Sequence, residues 1–150
     1  MITQKLKEYL TLGLGMGMGT RDAELTPDFN RVLGGYAVDT EHVTLFIDEP
    51  SSWKTLENIR DNQMVSLVMV NVANVESYQM KGKCTGIAKL TEEEQRIFKN
   101  YMELFDEMAT SIGLYPGLVY RYPHSDMIAV TMEVNEIFEQ TPRKGTGNKI

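Results

Sequence analysis

The sequence predicts a mainly β domain of the α+β class, a small six-stranded antiparallel barrel with peripheral helices. Two observations lead to this prediction. Six segments have the alternating or continuous apolar patterns of strands, and most of them follow one another through short connections, as antiparallel strands do. Three other segments have helical periodicity. A chain of 150 residues suffices for one core, so residues 1–150 are predicted to form a single domain.

The chain begins with two segments of different period. Residues 1–10 predict a short amphipathic helix. Residues 12–20 read LGLGMGMGT, and this alternation predicts a strand whose glycine face allows another backbone or a flat ligand to approach closely. The run does not match the dinucleotide-binding pattern G-x-G-x-x-G, because Met18 stands where the third glycine is required.

Three strands and a helix are predicted next. The strands Phe29–Val38 and His42–Ile47 are connected by a hairpin turn at 39–41. A short helix at 51–62 then leads into the strand Met64–Val70. This last strand is apolar on both faces, so we expect it to be central and buried.

The first turn of the helix at 51–62 has an unusual charge. Ser51 and Ser52 supply N-cap chemistry, and Asn62 tolerates the left-handed turn at a helix end. Lys54, however, places a cation at the positive end of the helix dipole. Either Lys54 is an ordinary solvated lysine, or an anion such as a phosphate binds to this helix N-terminus.

The next segments are a long strand and a long helix. The strand Ser77–Leu90 alternates between apolar and polar residues. Thr91 and Glu94 form a capping box that begins a helix, and Gly113 and Pro116 end it.

The C-terminal region contains the sixth strand and a tail. Ile128–Val134 alternates in the same way as the preceding strand. Residues 141–150 are basic and glycine-rich, and such a tail is either frayed or folded over an anionic ligand.

The composition excludes several classes of function. A net charge of −6 argues against nucleic acid or an anionic membrane as partner, and no apolar run has transmembrane length. Cys84 is the only cysteine, which fits a cytoplasmic protein without disulfides and predicts a small core residue. With only His42 and His124 besides, no zinc-ligand spacing exists. Hydrolase motifs are also missing, so any chemistry is expected to depend on a bound cofactor.

Three segments together resemble a known family. They are PDFNRVL at 27–33, SWKTLENIRDN at 52–62, and YQMKGKC at 78–84. In order and spacing they are similar to the pyridoxamine 5′-phosphate oxidase-like, FMN-binding split β-barrels over roughly residues 12–140, with the small bacterial FMN-binding proteins nearest. Ser52 replaces an arginine found in many relatives, and LTP at 25–27 replaces an expected G-x-P. The substrate-binding C-terminal segment of true pyridoxamine phosphate oxidases is missing, so vitamin B6 oxidation is not expected.

The resemblance implies a six-stranded antiparallel split β-barrel that binds FMN at the interface of a homodimer. It also implies that Lys54 holds the FMN phosphate. The cofactor-binding residues that it implies are Asn30, Arg31, Val32, Leu33, Ser51, Ser52, Lys54 and Thr55.

The implied function is that of a cytoplasmic flavoprotein oxidoreductase that passes hydride or electrons to a small acceptor. One alternative is a non-enzymatic FMN-binding electron carrier. Another is the same barrel with haem, a deazaflavin or no cofactor. Neither nucleic acid nor a membrane is expected as partner, and the resemblance does not identify the substrate or the electron donor.

Overall fold

The computed structural model describes residues 1–150 and contains one curled antiparallel sheet with three peripheral helices. The sheet order is β2-β1-β5-β6-β7-β4-β3. Its strands are β1 (Gly15–Arg21), β2 (Pro27–Val32), β3 (Gly35–Ala37), β4 (His42–Asp48), β5 (Met64–Val70), β6 (Ser77–Lys89) and β7 (Met127–Glu139). The helices are α1 (Gln4–Leu10), α2 (Trp53–Asn62) and α3 (Glu92–Ser111), with 3-10 turns at Pro50–Ser52 and Leu118–Arg121. The predicted mainly β architecture with peripheral helices is confirmed, but the sheet has seven strands instead of six.

The additional strand arises because the predicted strand Phe29–Val38 is divided in two. Gly34 has a φ of +117°, which bends the chain between β2 and β3. On either side of the bend, β2 pairs with β1 and β3 pairs with β4. The main chain of Phe46 in β4 bonds to both sides of the bend, accepting from Leu33 N–H (2.8 Å) and donating to Gly34 C=O (2.9 Å). The two ends of the sheet order are thus joined through a single bend, which gives the sheet its barrel shape.

The core occupies the concave side of the sheet. Met16 and Met18 of β1 are part of the core cluster, whereas the missing Cβ atoms of Gly15 and Gly17 point to the other face, against Val70 and Phe29, so the predicted alternation of β1 is confirmed. β5 lies between β1 and β6, which confirms its central position. The prediction that both faces of β5 are buried is wrong, because only Val65, Leu67 and Met69 face the core.

The helix ends are fixed by local chemistry. The capping box of α3 is confirmed: Thr91 Oγ1 accepts from Glu94 N–H (3.1 Å), and Glu94 accepts from Thr91 N–H (2.8 Å). The left-handed residue that ends α2 is Gln63, with a φ of +62°, and not Asn62. Asn62 remains helical, and its side-chain oxygen accepts from Met64 N–H (2.9 Å). None of the helices has the combination of length and apolar composition that a membrane span requires.

β7 continues five residues beyond the predicted end at Val134. β4 pairs with its residues 127–133 only, so the following residues would have a free edge. The tail folds back onto that edge: Glu139 N–H donates to Asn148 C=O and Ile150 N–H donates to Ile137 C=O, both at 2.9 Å. The tail is therefore hydrogen-bonded to the sheet instead of frayed.

Cys84 is buried in the core cluster, as predicted for a small core residue. Burial raises the pKa of its thiol.

Candidate functional site

The turn between β4 and α2 is held by a buried carboxylate. Asp48 accepts hydrogen bonds from Ser51 N–H (3.1 Å), Asp126 N–H (3.1 Å) and Ser125 Oγ (3.2 Å). Burial alone would raise the pKa of the Asp48 carboxyl, but these hydrogen bonds hold the pKa below its ordinary value. The ionised carboxylate therefore fixes the position of the turn that precedes α2.

Ser52 is the N-cap residue of α2, but its side chain does not cap the helix. The residue is 1% exposed, and its Oγ has no hydrogen-bond partner. The prediction that Ser52 supplies the cap bond is therefore wrong. A buried hydroxyl without a partner costs about 1–3 kcal/mol. A ligand oxygen at this helix N-terminus would supply the missing partner and would be favoured by the helix dipole.

Lys54 lies in the first turn of α2, between two carboxylates. Its Nζ is 2.8 Å from Glu57 and 3.8 Å from Asp22. The hydrogen bond to Glu57 is the main cause that raises the pKa of the Lys54 ammonium. The carboxylates of Glu57 and Asp22 therefore offset the repulsion between the Lys54 ammonium and the positive end of the α2 dipole. The Glu57 side chain is 61% exposed, and such surface pairs contribute less than about 1 kcal/mol, so Lys54 is free to exchange partners.

Two side chains connect β2 to this helix. Asn30 Nδ2 donates to Ser51 C=O (3.1 Å), and Thr55 Oγ1 donates to the carboxylate of Asp28. Asn30 and Asp28 alternate along β2, so they project from the same face of the strand. The start of α2 therefore packs against that face of β2.

The structure brings most of the predicted cofactor-binding residues together. Five of the eight lie at the junction of β2 and α2: Asn30, Ser51, Ser52, Lys54 and Thr55. Arg31 projects from the opposite face of β2, and the side chains of Val32 and Leu33 are buried in the core. As whole residues Val32 and Leu33 are 0% and 1% exposed, so in this structure neither presents an atom to the junction.

The opposite face of β2 borders an apolar cavity of about 330 Å³. Twelve of its fifteen lining residues are hydrophobic, and they come from β1, β2, β5 with the turn that follows it, and the 105–122 segment that includes the end of α3. Gly15 and Gly17 form part of its floor. The predicted close approach of another backbone is confirmed at Gly13, where an added Cβ would lie 2.4 Å from the main chain of Leu104; at Gly17 the approaching group is the Phe29 ring, at 1.9 Å.

Arg31 lies in this cavity against an aromatic column. Its guanidinium carbon is 4.5 Å from the centre of the Tyr122 ring, and Nη2 donates to the Tyr122 hydroxyl (3.4 Å). Tyr122 stacks on Phe105, with ring centres 6.3 Å apart and an interplanar angle of 11°. Tyr122 and the α3 wall of the cavity were not predicted from the sequence. The local signals for this place were the glycine alternation of β1 and Arg31 in the segment 27–33.

The acid–base side chains lie elsewhere. His42 is 3.0 Å from the Asp39 carboxylate in the β3–β4 hairpin, and His124 Nδ1 is 2.6 Å from Tyr122 C=O. The cavity lining contains no His, Cys, Asp or Glu. Nowhere in the chain do three or more such side chains form a group that could hold a metal ion.

A curled antiparallel sheet closed through one bend, with a helix starting beside an edge strand, defines the class of this protein. This is the split-barrel fold of the pyridoxamine 5′-phosphate oxidase-like proteins, and the resemblance predicted from the sequence is confirmed for the fold.

The fold has relatives among solved structures, although no protein-family model and no curated protein matches the sequence. The chain is similar to HupZ of Group A Streptococcus, with 18% identity over 99% of both chains and a TM-score of 0.60. It is also similar to a putative pyridoxamine 5′-phosphate oxidase of Lactobacillus delbrueckii, with 14% identity over 91% of this chain and 92% of the other and a TM-score of 0.57. An FMN-binding protein of Syntrophomonas wolfei has 10% identity over 89% and 85% of the two chains and a TM-score of 0.56.

Proposed function

We propose that this protein is a flavoprotein that binds FMN at the junction of β2 and α2. The observation that carries the proposal is the buried hydroxyl of Ser52, which lies without a partner at the N-terminus of α2, two residues before Lys54. The names of two proteins that share the fold, an FMN-binding protein and a putative pyridoxamine 5′-phosphate oxidase, support a flavin-type cofactor.

The residues present fit the phosphate end of FMN. Ser52 Oγ offers a hydrogen bond, and Lys54 offers a charge-assisted one once Glu57 is displaced. Displacing Glu57 costs little, because the pair is exposed and local in sequence. Asn30 holds the turn at Ser51 in place.

The proposed activity is that of an oxidoreductase. Bound FMN supplies hydride and single-electron transfer, and the protein supplies binding, orientation and exclusion of water. A second candidate is an electron carrier without turnover, favoured by the position of both histidines away from the junction: His42 contacts Asp39, and His124 contacts Tyr122. Oxidation of NADH with a steady turnover would favour the enzyme, and a reducible flavin without turnover would favour the carrier.

We propose a homodimer with the cofactor at its interface. Two exposed apolar side chains support this proposal: Trp53, at the start of α2, is 68% exposed and Met64, at the start of β5, is 38% exposed. Light scattering coupled to size exclusion separates a monomer of 17.0 kDa from a dimer of about 34 kDa, which is twice 17.0 kDa. The cytoplasmic location stays a prediction from the single cysteine.

The test of the proposal is an FMN titration followed by calorimetry. We expect Lys54→Met to weaken FMN binding by roughly 1.5–3 kcal/mol, or about 10- to 150-fold, through loss of a charge-assisted bond. Arg60→Met removes the same charge from an exposed position on α2 and is the matched control.

Ser52→Ala gives a second and more specific readout. Removing the unpartnered hydroxyl should raise the free energy of unfolding of the cofactor-free protein by about 1 kcal/mol and weaken FMN binding at the same time. Protein purified with added FMN that shows neither flavin absorbance nor thermal stabilisation would overturn the proposal. If the purified protein shows the absorption spectrum of haem or of a deazaflavin instead, the barrel binds that cofactor and not FMN.

A further inference from the structure

The cavity on the far side of β2 has the size and lining of a small-ligand site. Its volume of about 330 Å³ lies within the usual range of roughly 300–1,000 Å³ for such sites. At the roughly 30 Å³ that one water occupies in the liquid, the cavity holds on the order of ten non-hydrogen atoms. Its walls are mostly aliphatic and aromatic, among them Val68, Val70 and Phe105.

Arg31 gives this apolar cavity one uncompensated positive charge. The chain contains nine close ion pairs, and none of them includes Arg31. The cavity lining also contains no carboxylate. A cation on an apolar surface is stabilised by an anionic partner, and a guanidinium matches a carboxylate with two parallel hydrogen bonds.

The guanidinium is positioned and mostly free to donate. Of the five N–H groups on an arginine side chain, only one is used within the protein, in the bond to the Tyr122 hydroxyl. Tyr122 is held in turn by its stack on Phe105, and Phe105 lies 5.5 Å from Tyr101, whose hydroxyl donates to Leu14 C=O. This column fixes the head-group position before a ligand arrives, which reduces the entropic cost of binding.

We propose that this cavity binds an apolar monocarboxylic acid of about ten non-hydrogen atoms, with its carboxylate on Arg31 and its chain or ring against β1, β5 and α3. The proposal is independent of flavin binding. Asp28 and Asn30 project from the face of β2 that meets α2, whereas Phe29 and Arg31 line the cavity on the other face. The two sites are therefore separated by one strand.

The first experiment uses the wild-type protein and varies only the ligand head group. Octanoate, octanol and octylamine have the same chain, and their affinities are compared by calorimetry. We expect octanoate to bind at least 10-fold more tightly than octanol, and octylamine to bind most weakly. Equal affinity for the three compounds, or no binding of octanoate, would overturn the proposal.

The second experiment removes the charge. Arg31→Met keeps an unbranched apolar stem and removes the guanidinium, and we expect it to reduce octanoate affinity at least 10-fold while octanol affinity changes less than 3-fold. Arg60→Met, with the same change of net charge on the exposed face of α2, should leave octanoate binding unchanged. An octanoate affinity that is the same in Arg31→Met as in the wild type would refute the assignment of the head group.

FMN titrations in the presence of saturating octanoate test whether the sites are separate. We expect the FMN affinity of the wild type to change less than 3-fold with octanoate bound, and that of Arg31→Met to stay near the wild-type value. Displacement of FMN by octanoate, together with weak FMN binding by Arg31→Met, would assign the cavity to the flavin site and overturn the proposal. If the protein binds octanoate but no flavin, the proposal for the cavity stands, and only the proposed FMN-binding function is refuted.

Discussion

Closure of the barrel depends on the bend at Gly34, and the substitution Gly34→Ala tests this dependence directly. Gly34 has a φ of +117°, a conformation that residues with a Cβ rarely adopt. An added Cβ would lie 3.1 Å from the Phe46 ring and 3.2 Å from Tyr101 Cβ. Both neighbours are buried, so neither can move away freely.

The expected loss of stability follows from these contacts. Backbone strain at a positive φ costs about 1–2 kcal/mol, and crowding in a packed core costs about 1–3 kcal/mol more. Reduced freedom of the unfolded chain returns about 0.4–1 kcal/mol. The net loss is about 1–5 kcal/mol, which for a chain of 150 residues lowers Tm by roughly 2–20 °C.

Urea denaturation measures the free energy of unfolding, with Gly86→Ala as the matched control. Gly86 lies in β6, its φ is not positive, and a Cβ added there would meet no atom within 4 Å. The control should therefore be neutral or more stable by up to about 1 kcal/mol. A loss of less than 0.5 kcal/mol (on the order of measurement error) in Gly34→Ala would refute the argument, because the bend would then tolerate a side chain.

Three further outcomes are expected. Asp48→Asn should lower the free energy of unfolding by about 1–3 kcal/mol at pH 7. Because the folded pKa of Asp48 lies below 3.8, urea titrations should show this difference shrinking as the pH falls through that lowered value. Burial raises the pKa of Tyr9 to about 12, so wild-type stability should fall between pH 10 and 12, and Tyr9→Phe should lose less over that interval. Glu57→Gln removes the competing partner of Lys54, and calorimetry should show FMN affinity rising about two-fold.

The elements predicted correctly are those whose signals are local. The alternation of β6 and the capping box at Thr91 depend on residues a few positions apart, and both are present in the structure. The dipeptide Gly34-Gly35 is a local turn signal, but the prediction treated residues 29–38 as one continuous strand and so missed the bend. The direction of the chain there is set by pairing with β4, which sequence periodicity does not report.

The residues of the candidate sites also differ in whether local sequence signals or only the tertiary fold brings them together. The helix that begins after Ser52 was predicted from adjacent residues. Helical spacing also indicates Glu57, three residues after Lys54, as the ion-pair partner of Lys54. The other carboxylate, Asp22, reaches Lys54 only through the tertiary fold. Arg31 and Tyr122 are 91 positions apart, so no local pattern could place them together.

The alternation of β2 explains how one strand serves two sites. In the antiparallel register Gly17 lies opposite Arg31, and Met18 lies opposite Asn30. Gly17 faces the cavity, where its missing side chain makes room for the Phe29 ring, whereas Met18 fills the core. A methyl group at Gly17 would push Phe29, which is 64% exposed, outward and reshape the cavity without reaching α2. Gly17→Ala should therefore weaken octanoate binding and leave FMN binding intact, and equal losses for both ligands would show that β2 does not separate the two sites.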